Sequence, residues 1–200
     1  MGWAFLTFRR ARVLEHVAAE LGVPMADPLV AERHGRSFTV TYSRGGARTP
    51  PRLRITADVD ETTGAPSSRV AASAYRDVER PVAGLRPAVV LKRETGYELF
   101  GERVGLGRGI TTGDAQFDDL VRVDTSSREE DVRRTLGDER LRRAVRGLLL
   151  GGATTVELGP KGLSAVCDAA DALALAAADL ERFLDLLAEA AGALPLFQAG

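Results

Sequence analysis

Two hundred residues with a formal net charge of −1 make one sizeable domain, 1–200, or at most two small ones. The balanced charge excludes an electrostatic case for nucleic acid or an anionic membrane. No run of about 18 apolar residues occurs, which excludes a spanning helix. Lys92 and Lys161 are the only lysines; the surplus of arginine, with abundant Ala, Gly, Val and Asp, fits the coding bias of a GC-rich bacterium better than selection for phosphate forks. Cys167 is the only cysteine, so no internal disulfide exists and a reducing, cytoplasmic setting is expected. The first ten residues are no secretory signal, because the basic residues follow the apolar ones.

The chain opens with a predicted helix over residues 3 to 21. Leu6, Val13, Leu14, Val17 and Leu21 form its inward stripe, Gly22 caps it and Pro24 stops it. Trp3, Phe5 and Phe8 do not all fit that stripe. They either pack on the protein's own sheet, the preferred reading, or, with Arg9 and Arg10, dock on a partner or a membrane surface. Residues 36 to 43 and 52 to 59 alternate apolar and polar around a glycine-bearing loop, which predicts an antiparallel hairpin with one wet face. His34 is expected in a loop.

Residues 61 to 87 are poorly patterned and read mainly as loop. A strand is predicted at 88 to 92, and a return strand or short helix at 97 to 104. Leu120, Val121 and Val123 predict another strand. Ser126 and Ser127, each followed three residues on by a glutamate, predict overlapping capping boxes for a helix ended by a left-handed Gly137. Asp138 is the expected cap of the next helix, with Leu141, Val145, Leu148 and Leu149 inward and Gly151-Gly152 as the stop. Residues 154 to 158 and 163 to 167 predict a second hairpin. One long helix is expected from Asp168, with a stripe of Leu173, Ala177, Leu180, Leu184, Leu187 and Ala191, widened by Phe183 and ended by Gly192. An apolar tail, 192–200, is expected to fold back. Segregated helices and strands predict an α+β fold: antiparallel sheet or sheets flanked by an N-terminal helix, a central helix pair and a long C-terminal helix.

Chemistry is harder to find. Gly105, Gly107 and Gly109 with Arg108 form a glycine cluster suited to an anion, but without a Walker lysine or a dinucleotide fingerprint a plain turn is favoured. Asp114, Asp118 and Asp119 supply oxygens for a metal, yet Asp114 also suits the cap of a single turn through Phe117, and capping is preferred. Asp58, Asp60 and Glu61 lack the glycine and final glutamate of a calcium loop. His16 and His34 stand apart, which leaves zinc unsupported. No acyl-transfer elbow is present. Cys167, just before a helix start, reads as core filler ahead of a reactive thiol. No cofactor or metal is expected.

The piece Thr112-Gly113-Asp114-Ala115-Gln116-Phe117-Asp118 resembles a motif, Gly-Asp-x-x-Phe-Asp, found in a group of bacterial proteins. Gly35-Arg36-Ser37-Phe38, Arg52 to Ile55, Val121 to Val123, Leu136 to Leu150 and residues 154 to 191 correspond to the group's other pieces. The resemblance spans roughly 35 to 191 and implies a fold without a mechanism. Members of the group often carry a membrane anchor ahead of the domain, and no such apolar run stands before residue 35 here. The order of elements is also similar to that of type III secretion chaperone-like domains, which bind partner segments and often dimerise. The functional expectation is a non-enzymatic protein-interaction or scaffold domain, with a second copy of the chain as a further candidate partner. The alternatives are a small-molecule or anion-binding protein or an enzyme, using Asp114, Asp118 or Asp119 with Arg108 or Arg122, and peripheral membrane attachment through Trp3, Phe5, Phe8, Arg9 and Arg10.

Overall fold

The computed structural model describes residues 2–45, 50–58, 89–93, 110–125, 127–159 and 162–194, with backbone alone for 2–11 and 58. Among the described residues seven strands form one antiparallel sheet: β1 (Leu29–Arg33), β2 (Arg36–Ser43), β3 (Arg52–Asp58), β4 (Val89–Arg93), β5 (Val121–Thr125), β6 (Ala153–Gly159) and β7 (Gly162–Asp168). Their spatial order is β1-β2-β3-β7-β6-β4-β5. The helices are α1 (Gly2–Leu21), α2 (Ala115–Asp118), α3 (Glu129–Leu136), α4 (Glu139–Leu150), α5 (Ala169–Ala172) and α6 (Ala177–Ala193). The α+β expectation therefore holds, with both predicted hairpins in place.

Alternation explains the layering. Phe38, Val40 and Tyr42 on β2 and Leu53, Ile55 and Ala57 on β3 are buried on one face, with Val89, Leu91, Val121, Val123, Val156 and Leu158 continuing it. That face meets Val13, Leu14 and Val17 of α1, Leu141, Val145, Leu148 and Leu149 of α4, and Leu180, Phe183, Leu184 and Leu187 of α6 in one core. α4 and α6 pack against each other and against the sheet. Gly147 makes their approach close: a Cβ there would lie 2.9 Å from Leu186 Cδ1. The opposite face carries Thr39, Thr41, Arg54, Thr56, Lys92, Arg122, Asp124 and Glu157, all partly exposed. Arg54 Nη2 donates to Glu157 Oε1 at 3.1 Å across β7, and Val166 beneath is 3% exposed.

Four local expectations need correction. Asp138 caps α4 as foreseen, accepting from Arg140 N at 2.7 Å and Leu141 N at 3.3 Å, but α3 begins otherwise. Arg128 occupies its cap position without a side-chain cap bond. Ser127 N–H instead donates to Thr125 Oγ1 at 2.9 Å, a turn that ends β5 and moves the helix start along; Ser126 lies outside the described residues. Gly137 is helical, φ −65°, not left-handed. Gly137 N–H donates to Arg134 O, and two later carbonyls are taken by Arg142 Nη1, which donates to Leu136 O at 2.7 Å and Gly137 O at 2.9 Å.

The long last helix is two helices, α5 and α6, broken at 173 to 176. Asp168 makes no side-chain cap bond, and Leu173, placed on the inward stripe, is 44% exposed. The break has a tertiary cause. His16 Nε2 of α1 hydrogen-bonds Leu175 O at 2.9 Å, and Asp179 accepts from Ala176 N at 3.4 Å to restart the helix. Alanine-rich propensity yields to those contacts. α6 then runs through Gly192 to Ala193. Finally, β1 is a strand that the alternating pattern does not announce. Residues 61–87 and 97–104, and the tail beyond Leu194, fall outside the described residues.

Candidate functional site

The Gly-Asp-x-x-Phe-Asp piece forms the turn that leads through α2 into β5. Asp114 opens α2 as foreseen: its Oδ1 accepts from Phe117 N at 3.2 Å. Its Oδ2 accepts from Arg142 Nε at 3.0 Å. Asp118 binds the segment before it, taking Thr112 N at 2.9 Å, Thr112 Oγ1 at 2.8 Å and Gly113 N at 3.0 Å. Gly113 stands at φ +84°, a left-handed conformation that glycine takes without strain. Phe117 is fully buried and anchors the turn to the core.

Arg142 joins this turn to the junction of α3 and α4, since the guanidinium that holds Asp114 also holds Leu136 O and Gly137 O. One turn further along α4, Arg146 Nη1 donates to Gln116 Oε1 at 2.9 Å. The Arg142 hydrogen bond, seconded by the Phe117 amide, holds the Asp114 carboxyl below the usual carboxylate range. All four motif side chains or backbones therefore meet in one place, and what they do there is brace a turn.

The other candidates do not join them. Arg122 lies on the open face of the sheet with Asp124, at 3.2 Å, and Lys92 also bonds Asp124. Asp119 is exposed, and its backbone closes α2. Arg108 lies outside the described residues, as do the side chains of Trp3, Phe5, Phe8, Arg9 and Arg10. Among the described residues no group of three His, Cys, Asp or Glu side chains could hold a metal ion. Cys167 is buried, and burial, with Asp171 and Asp168 nearby, pushes its thiol up to about 12, opposite to the activation a helix start would give.

Sequence reasoning missed Arg142 and Arg146. Each follows an inward residue of α4, Leu141 or Val145, by one position, so each stands at the border of the apolar stripe where a neighbouring element meets the helix. It also missed the contact between the β1–β2 turn and α6. There Arg33 pairs with Asp185 and, at 3.5 Å, with Glu181, while His34 Nε2 lies 2.8 Å from Asp185 Oδ1. A cleft of about 600 Å³ lies between the α3–α4 junction and the end of α6, lined by Arg134, Thr135, Asp138, Arg140, Glu189 and Leu194. Asp138 is engaged as a cap and Arg134 pairs with Asp131 at 3.7 Å.

The free edge of β1 is the remaining feature. Among the described residues β1 has a neighbour on one side only. His34 (φ 52°) and Gly35 (φ 70°) form a two-residue turn with both residues left-handed, the type I′ hairpin. In such a hairpin Arg33 and Arg36, which flank the turn, exchange both hydrogen bonds, as do Ala31 with Phe38 and Leu29 with Val40. Val30 and Glu32 are the alternate positions, so their N–H and C=O groups point away from β2. Val30 is 45% exposed and Glu32 is exposed. Among the described residues no helix is long and apolar enough to cross a membrane. Set against protein-family models, curated proteins and solved structures, the chain finds no match in any of the three.

Proposed function

We propose that this chain is a non-enzymatic protein-interaction domain of a bacterial cytoplasm that binds by taking up a strand along β1. The observation that carries the reading is the outward row of Val30 and Glu32 backbone groups, which have no partner among the described residues, beside an exposed Val30 side chain. Unpaired edge groups are a template for an added strand, with main-chain bonds giving affinity and alternate side chains giving selectivity. The brace at Asp114, Asp118 and Arg142 supports the same reading from the other side, because the carboxylate oxygens a metal or acid–base site would need already accept from the protein's own backbone and from Arg142.

Val30→Pro tests it. The Val30 N–H points outward, so proline removes an edge donor without removing a β1–β2 bond. Affinity capture from the native host, read by mass spectrometry, should lose its bound proteins with the variant. An unchanged set of captured proteins would remove the edge from the account.

A further inference from the structure

We infer that the strand which completes the edge of β1 is β1 of a second copy of this chain, antiparallel to the first, with the two-fold axis at Ala31. The inference rests on the proposed edge docking and names its partner.

A two-fold axis demands that each strand offer what the other needs. With the axis at Ala31, Val30 of one copy stands opposite Glu32 of the other, and the reverse holds on the far side. Both residues are outward-facing, so each of these two pairs exchanges two hydrogen bonds, and no outward group in the strand is left over. Ala31 meets its own copy as the non-bonded pair, where strands come closest, and its small side chain permits that approach.

Neighbouring registers fail on this sequence. With the axis at Val30, Glu32 faces Pro28, which has no N–H to give. With the axis at Glu32, two carboxylates face each other, and Val30 faces His34, which is in the turn. A shift of one residue sets an outward-facing position against an inward-facing one. Charge does not oppose this register. Among the described residues Glu32 has no ion pair, and in the Ala31 register it meets valine rather than a like charge. Arg33, the neighbouring charge, is already held by Asp185 and Glu181 of its own chain and does not compete. Five residues of strand bury little surface, so the association belongs in the micromolar range or weaker.

Two measurements on the full chain test this. Sedimentation velocity across concentration should show a monomer–dimer equilibrium. Val30→Pro and Glu32→Pro should each weaken it at least about tenfold, since each removes two of the bonds across the axis, while circular dichroism shows the fold intact. For register, Val30→Cys and Glu32→Cys proteins are mixed and oxidised. Opposed Cβ atoms lie about 4.5–5.5 Å apart in such a pair, so the mixture should cross-link faster than either variant alone. Cys167 is buried and contributes no background. A chain that stays monomeric at about 1 mM, or a dimer indifferent to both prolines, overturns the inference. If the chain is monomeric but Val30→Pro still abolishes capture of another protein, the edge docking stands and the second copy is wrong. If capture is also indifferent to Val30→Pro, both fall.

Discussion

Replacing Arg142 by methionine keeps the aliphatic stem that packs beside α4 and removes the guanidinium. The side chain is 15% exposed. Two carbonyls at the end of α3, Leu136 O and Gly137 O, lose their donor. At roughly 0.5–1.5 kcal/mol for each such bond, the loss is about 1–3 kcal/mol. The Asp114 contact sits where solvent screens it and is left out of the sum. For a chain of this length the melting temperature should fall by roughly 3–10 °C. Arg146→Met is the control, since the partner it loses is the exposed Gln116 side chain; a change within about 0.5 kcal/mol is expected there. Urea titrations of the two variants against the parent measure both. Equal losses in the two, or a loss below about 0.5 kcal/mol for Arg142→Met, would show that Arg142 does not hold the α3–α4 junction to the motif turn.

Three further outcomes follow from the geometry. Gly113→Ala should destabilise by about 1–2 kcal/mol, because the residue stands at φ +84° although a Cβ would meet no atom within 4 Å; Gly113→Asn should cost less, and denaturant titration separates the two. Gly147→Val should cost about 1–3 kcal/mol by forcing α4 from Leu186 of α6, read as a lower urea midpoint with an unchanged slope. Asp124 has its carboxyl lowered first by the Lys92 hydrogen bond, then by the charges of Lys92 and Arg122. A lowered folded-state value means stability that is present above the unfolded carboxylate range and is lost as pH falls through the folded one. Lys92→Met should therefore flatten the fall in stability on the acid side, and parallel pH–stability curves for variant and parent would contradict that.

What was legible in the sequence is what local chemistry decides. Alternation at 36 to 43 and 52 to 59 gave β2 and β3 with the correct faces, because one face of the sheet is buried and the other is wet. Asp114 and Asp138 were readable as caps because a cap is a contact within three residues. The errors lie where a distant residue overrides a local preference. Gly137 stays helical at a junction where Arg142, from the next helix, takes its carbonyl. The alanine-rich run after Asp168 broke because His16, far away in sequence, holds Leu175 O. β1 was missed since its five residues include Ala31, Glu32 and Arg33, poor strand formers, and its pairing is fixed by a His34-Gly35 turn that propensity rules do not single out. For the candidate site, the residues of the Gly-Asp-x-x-Phe-Asp piece were found from sequence and Arg142 was not, because the partner comes from a helix 28 positions on.

Amide hydrogen exchange along β1, followed by NMR at increasing protein concentration, addresses the open edge most directly. At high dilution the amides of Val30 and Glu32 should exchange fast while those of Ala31 and Arg33, bonded to β2, stay protected. Protection of Val30 and Glu32 should then rise with concentration as the edge is taken. Protection of both amides at every dilution would mean that the edge is already covered within one copy of the chain, and would contradict the account.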